Sequence, residues 1–158
     1  MASPLSVGDV IALSKLAIAL GRAFTKGRKS APEEFREVES QLYSLSAALD
    51  ALTPLLPTPA NEDADDSLSY AVRSCRRTLT HLETVVTSYG VLKKDEERKP
   101  NGARFRRWNT AIKSSWKSIV WTTEGGDLAA LRSNLTVHTN SLNLLLGVMM
   151  KCVKSLPL

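Results

Sequence analysis

Apolar positions recur with a helical period over most of the chain. Phe35, Val38, Leu42, Leu45, Leu49 and Leu52 follow one another at steps of three and four, the spacing that lines one face of a helix. Leu68, Val72, Cys75, Leu79, Leu82, Val86 and Tyr89 repeat the pattern, and so do Leu128, Leu131, Leu135, His138, Leu142, Leu145, Met149 and Cys152. A shorter run, Phe105, Trp108, Ile112, Trp116 and Ile119, predicts a further helix. No Asn-Gly or Asp-Gly turn stands between alternating apolar runs, so the strand signal is weak. The fold class expected is all-α: an antiparallel bundle of four to five helices, whose near-3.5 repeat favours crossings of about 20°.

Local signals place the ends of these elements. Ser6 and Asp9 form a capping box that opens a first helix reaching about Thr25, with Gly27 as its stop. Ser30 and Glu33 read as a second box, with Ala31-Pro32 in the first turn. Pro54 and Pro57 end the second helix, and residues 53–66 are expected to be a mobile, acidic, proline-rich connection. The third helix frays through a charged run into Pro100-Asn101-Gly102, so that residues 93–104 form a basic loop. Gly125-Gly126 breaks the chain as a hinge or cap before a last helix that runs to about Val153.

The first helix has a different pattern. Val7, Val10, Ile11, Leu13, Leu16, Ile18, Leu20 and Phe24 lie nearly all round it. A helix apolar on every side is either central in a fold or destined for another hydrophobic environment. Burying each large side chain is worth about 1.5–3 kcal/mol, so such a helix exchanges one apolar partner for another rather than standing in water. It falls short of the ~20 apolar residues needed to span a bilayer, so a single copy would lie in the interface or insert in part.

Composition narrows the class further. At 158 residues, with 43% apolar and 23% charged residues, the chain is expected to be one globular domain over residues 1–158, with no need of a metal or disulfide to hold a core. Two cysteines, Cys75 and Cys152, do not make a disulfide framework; they suit a reducing compartment. The N-terminus carries no positive charge ahead of its apolar stretch, which makes a poor secretory signal. A cytoplasmic protein with recruitment to membranes is the expectation.

The net charge is +5, and its distribution matters more than its size. Lys93, Lys94, Arg98, Lys99, Arg104, Arg106, Arg107, Lys113 and Lys117 stand against Asp95, Glu96 and Glu97, so residues 93–117 carry +6 and the rest of the chain −1. Basic side chains beside Phe105, Trp108 and Trp116 suit anionic lipid headgroups. A solvated charged loop with its tryptophans in the core is the plain alternative. Nucleic-acid phosphates rank below both, since no recognition-module signature is present.

Three strings carry a family resemblance. Leu131-Arg132-Ser133-Asn134-Leu135-Thr136-Val137-His138-Thr139-Asn140-Ser141-Leu142-Asn143-Leu144-Leu145-Leu146 lies near the C-terminus, preceded by Trp116-Lys117-Ser118-Ile119-Val120-Trp121-Thr122-Thr123-Glu124-Gly125. Ser6-Val7-Gly8-Asp9-Val10-Ile11-Ala12-Leu13 lies at the start. Together they resemble the fungal N-terminal domain of STAND, NLR-like proteins, the HeLo-like group. The resemblance implies a helical bundle that precedes a NACHT module and acts as a signalling or cell-death effector, with an N-terminal helix that damages membranes when exposed. The sequence has no P-loop, repeats or amyloid-type tail, so an excised domain or a stand-alone relative is expected, and effector or adaptor function is what carries over.

No catalytic or metal site is expected. Cys75 and His81 diverge by about 120° on a helix, and His138 and Cys152 are ~21 Å apart along one. No zinc spacing, nucleophile elbow, paired-carboxylate site or phosphate loop is present. His138 falls on the core phase of its helix and reads as a satisfied structural histidine. The expectations are therefore no enzyme, no cofactor and no small-molecule substrate. The partners expected are anionic lipids, helical protein domains, or other copies of the chain.

Overall fold

The computed structural model describes residues 5–25, 32–56, 65–88 and 119–154. These form four helices, α1 (Val7–Thr25), α2 (Glu33–Leu52), α3 (Asp65–Ser88) and α4 (Leu128–Lys154), with a 3-10 turn over Thr53–Leu55. Among the described residues there are no strands. The predicted helix over 105–119 and the basic loop 93–104 fall outside them, apart from Ile119.

The starts of α1 and α2 have local causes. At α1 the Ser6 hydroxyl accepts from the Asp9 N–H at 3.1 Å, and Asp9 Oδ2 accepts from the Ser6 N–H at 3.2 Å, the expected reciprocal box. The Ser6 hydroxyl and backbone, with Arg76 nearby, hold the Asp9 carboxyl below the usual carboxylate range. α2 corrects an expectation: its cap is Pro32, with no side-chain hydrogen bond, and Glu33 is its first residue rather than the far arm of a Ser30 box. Glu33 and Glu34 instead place negative charge in the first turn, where the helix dipole favours it. The 53–66 connection is also shorter than expected, because Thr53–Leu55 coil into the 3-10 turn and α3 already begins at Asp65.

Before α4 the chain makes a compact turn. The Trp121 N–H donates to Gly126 O at 2.8 Å, and the Gly126 N–H donates to the buried Thr122 hydroxyl at 2.7 Å. Gly125 sits at φ 90°, a region that L side chains rarely adopt. A Cβ on Gly126 would lie 2.5 Å from Ala130 Cβ. Asp127 then caps α4 by accepting from the Ala130 N–H at 3.0 Å.

The core follows the predicted phases closely. All six predicted positions of α2, and Leu68, Val72, Cys75, Leu79, Leu82 and Val86 of α3, are buried. On α4, Leu128, Leu131, Leu135 and Leu142 are buried. Trp121, in the turn, closes one end of the core with its ring 5.6 Å from Phe24 and 6.4 Å from Phe35. Those two phenylalanines meet edge to face at 5.5 Å.

The helices form a ring. α1 packs on α2 and α3, and α4 packs on the same two. Ser14 faces Ser46 and Phe24 faces Phe35, so α1 and α2 run antiparallel. Glu37 pairs with Arg132 and Gln41 Nε2 with Thr136 Oγ1, so partners on α2 and α4 rise together. Successive helices reverse direction, yet the side-by-side pair α2 and α4 runs parallel. The chain therefore crosses the bundle between α2 and α3 instead of stepping to its nearest neighbour.

Candidate functional site

α1 is one-sided, which corrects the expectation of a helix apolar all round. Val10, Leu13, Leu20 and Phe24 are buried, Leu16 and Ile18 are half-buried, and Val7 and Ile11 are 47% and 38% exposed. The apparent symmetry arose because alanine, serine and glycine occupy much of the inner face. Ser14, Ala17 and Gly21 are buried among the large residues and let α2 come close. Gly21 makes the closest approach, since a Cβ there would stand 2.7 Å from Tyr43 Cε1.

The α1–α2 seam also holds a polar knot that the apolar pattern did not announce. The Ser14 hydroxyl donates to Asp50 Oδ1 at 2.6 Å and lies 2.8 Å from the Ser46 hydroxyl. Both serines are buried, while Asp50 reaches solvent. Tyr43 caps the other end of the seam between Glu39 and Arg22; burial, with Glu39 beside it, pushes its hydroxyl above the usual tyrosine range. These contacts and the four buried side chains, worth roughly 6–12 kcal/mol together, hold α1 to the bundle. That sum is comparable to the ~5–15 kcal/mol that keeps a whole domain folded. In water, departure of α1 is equivalent to unfolding.

The outward face of α1 has its own chemistry. Val7, Ile11, Lys15, Ile18 and Arg22 succeed one another at steps of four, four, three and four, so they line one stripe. Ala12 and Ala19 lie exposed beside it. The acidic residue of this helix, Asp9, points elsewhere and pairs with Arg76 at 3.4 Å. The stripe therefore combines Val7, Ile11 and the half-buried Ile18 with Lys15 and with Arg22, which also contacts Tyr43, and it has no acid of its own. An amphipathic helix of this composition fits a membrane interface lying flat, with aliphatic groups among the acyl chains and basic heads at phosphate level.

The other predicted anion-binding residues, Lys93, Lys94, Arg98, Lys99, Arg104, Arg106, Arg107, Trp108, Lys113 and Lys117, lie outside the described residues.

The two candidate chemical groups are structural. The Cys75 thiol is buried, and burial pushes its pKa up to about 12, which leaves it protonated and unreactive. His138 is half-buried, with Nε2 2.8 Å from the Thr78 hydroxyl; burial lowers its pKa, and Glu124 partly opposes that. Among the described residues no three His, Cys, Asp or Glu side chains converge as a metal site would require. Nor is any helix among them long and apolar enough to cross a membrane.

Sequence reasoning passed over one further surface. From Ser133 to Met150 the chain carries no Lys, Arg, Asp or Glu. On the outside of α4 this uncharged stretch leaves Val137, Leu144 and Val148 exposed by 58%, 72% and 54%. The missing charges were visible in the sequence, but the leucine repeat on the opposite side of the helix drew attention to the core.

Residues 7–142 match the family described as SesA, the N-terminal domain on NACHT NTPases and P-loop NTPases. No curated protein and no solved structure matches the chain.

Proposed function

The chain belongs to the SesA family, and from that premise we propose that it is a signalling effector domain of the cell-death or innate-immunity type that acts at anionic membranes through α1. A domain placed at the N-terminus of an NTPase is suited to turning the state of that module into an output. The observation that carries the membrane reading is the acid-free outer stripe of Val7, Ile11, Lys15, Ile18 and Arg22. It allows docking without the cost of unfolding: the bundle stays closed while α1 lies against the headgroups. Deeper insertion of Val10, Leu13, Leu20 and Phe24 follows only where the bilayer takes over the shelter that α2 provides, because water cannot.

Co-sedimentation with phosphatidylserine-containing vesicles, against pure phosphatidylcholine, tests this reading. The chain is expected to pellet with the anionic vesicles and to lose most of that binding in Ile11→Glu. Since each basic residue near such a surface contributes about 1 kcal/mol, Lys15→Glu should weaken binding several-fold. Both positions are exposed, so the variants keep the fold. Unchanged pelleting of both variants would remove α1 from the function. The second reading, a non-lytic adaptor that binds other helical domains, is favoured by the exposed apolar face of α4.

A further inference from the structure

α3 turns a concentrated basic stripe to solvent. Its core residues, from Leu68 to Val86, share one side, and Tyr70, Arg73 and Arg77 fall within about 60° of one another on the other. Tyr70 is 77% exposed, more than any other large apolar side chain among the described residues. Arg73 and Arg77 are both exposed and stand one helical turn apart, a like-charged spacing that destabilises a helix. Arg76 lies on the flank, 3.4 Å from Asp9 of α1. Arg77 is within electrostatic reach of Glu124, whose carboxyl is held below its usual range first by the Thr123 hydroxyl and least by Arg77. Among the described residues no carboxylate pairs with Arg73, and Asp66, on the same stripe, stands about 10 Å before it. Three arginines within five residues are the densest positive charge among the described residues. The bundle is polarised around them. α2 carries Glu33, Glu34, Glu37, Glu39 and Asp50 against Arg36 alone, and it lies across the ring of helices from α3.

We propose that the outer face of α3 binds the phosphate monoester headgroup of an anionic lipid, of which phosphatidic acid is the simplest, between Arg73 and Arg77 with Tyr70 at the rim. This rests on the membrane reading of α1 and names the headgroup. Guanidinium groups take phosphate oxygens in bidentate fashion. A phosphate monoester carries about 1.5–2 negative charges near neutral pH, so one group can serve two arginines and relieve their mutual repulsion. A phosphatidylserine headgroup, with a net charge near −1, serves one. Tyrosine favours the interfacial layer, where its hydroxyl can donate to a phosphate oxygen.

The packing brings this site to the same end of the molecule as the start of α1. Thr78 meets His138 and His81 meets Val120, so α3 runs against α4 and in the same direction as α1. The Asp9–Arg76 pair then fixes their relative level. Arg73, about 4.5 Å before Arg76 along α3, stands level with the start of α1, where Val7 is exposed. A surface that receives Val7 and Ile11 therefore reaches the α3 arginines while the bundle stays closed. The charge polarity favours the same approach, since an anionic surface attracts the α3 side and repels the carboxylates of α2. Charge complementarity and continuity with the α1 stripe together select a lipid headgroup as the occupant.

Co-sedimentation with two sets of phosphatidylcholine vesicles tests it, one containing phosphatidic acid and the other phosphatidylserine, matched in measured surface potential. Binding to the phosphatidic acid vesicles is expected to be tighter by about fivefold, the effect of one further basic contact at the surface. Arg73→Gln combined with Arg77→Gln should remove that preference, and Arg36→Gln, exposed on α2, should keep it. Because the double variant separates no ion pair of Arg73 and relieves a like-charged spacing, it should melt no lower than the parent chain. Ile11→Glu should weaken binding to both lipids alike. Equal binding to the two lipids by the parent chain, or a preference that survives in the double variant, overturns the proposal. If the parent chain pellets equally with both and Ile11→Glu abolishes this, the α1 reading stands without the α3 site; if it pellets with neither, both fall. Glycerol 3-phosphate in the millimolar range should leave pelleting unchanged, since it lacks the contacts made through α1. Displacement at micromolar concentrations would assign the arginines to a soluble phosphate monoester, and overturns the lipid assignment.

Discussion

The Ser14 hydroxyl on α1 donates to Asp50 Oδ1 on α2 at 2.6 Å, from a position that is itself buried. Besides the apolar contacts and the Tyr43–Arg22 contact, the two helices thus share a buried directional bond that helps set their register. Replacing Ser14 by alanine leaves Ser46 without its hydroxyl partner and Asp50 without its donor. Loss of one such bond at a buried site costs about 1–3 kcal/mol. Urea unfolding of Ser14→Ala should show that loss, and hydrogen exchange should place the added opening in α1.

The turn before α4 should be among the most sensitive places in the chain. Trp121 is fully buried and touches both Phe24 and Phe35, so Trp121→Ala removes the plug from one end of the core. A loss of about 3–5 kcal/mol is expected. Gly126→Ala forces a Cβ onto that of Ala130 and should cost about 1–3 kcal/mol, although it adds only one methyl group. Thermal unfolding of the two variants checks both figures.

His138 gives the bundle a defined acid sensitivity. Its folded pKa lies below the free value of 6.5, chiefly through burial. The unfolded chain therefore binds a proton that the folded chain resists. The stability tied to this group is complete above pH 6.5 and declines as the pH falls from there toward the lowered folded value. Melting temperature should drop between pH 7 and pH 5, and His138→Gln should flatten that part of the profile. An identical slope in the variant would separate the acid response from this histidine.

Cys75 should resist thiol reagents until the fold opens. Its thiol is buried and stays protonated far above neutral pH. In a Cys152→Ser background, labelling by a maleimide should track unfolding in urea, and rapid labelling of the native protein would contradict the burial.

Much of this architecture was legible in the periodicity. Every predicted core position of α2 from Phe35 to Leu52, and of α3 from Leu68 to Val86, is buried, because leucine and valine at three-four spacing leave a helix a single way to hide them. α1 was harder, since its inner face is built partly from Ser14, Ala17 and Gly21, which a hydrophobic count passes over. The same count put Val7 and Ile11 among the side chains that need an apolar partner, although they face out of the bundle. The parallel pairing of α2 and α4 depends on which polar residues meet, Glu37 with Arg132 and Gln41 with Thr136, and a repeat alone carries no such direction. Trp121 sits in a turn, where no period marks it as core.

The proposed membrane role rests on the outer stripe of α1 entering a lipid interface while the bundle holds. Ile11→Trp places a reporter in that stripe, and Ala47→Trp places one on the exposed side of α2. On titration with anionic vesicles, the difference in emission between Ile11→Trp and the parent chain should shift to the blue and become protected from an aqueous quencher, while the Ala47→Trp difference stays wet. No change at Ile11→Trp, or the same change at both positions, would contradict the account.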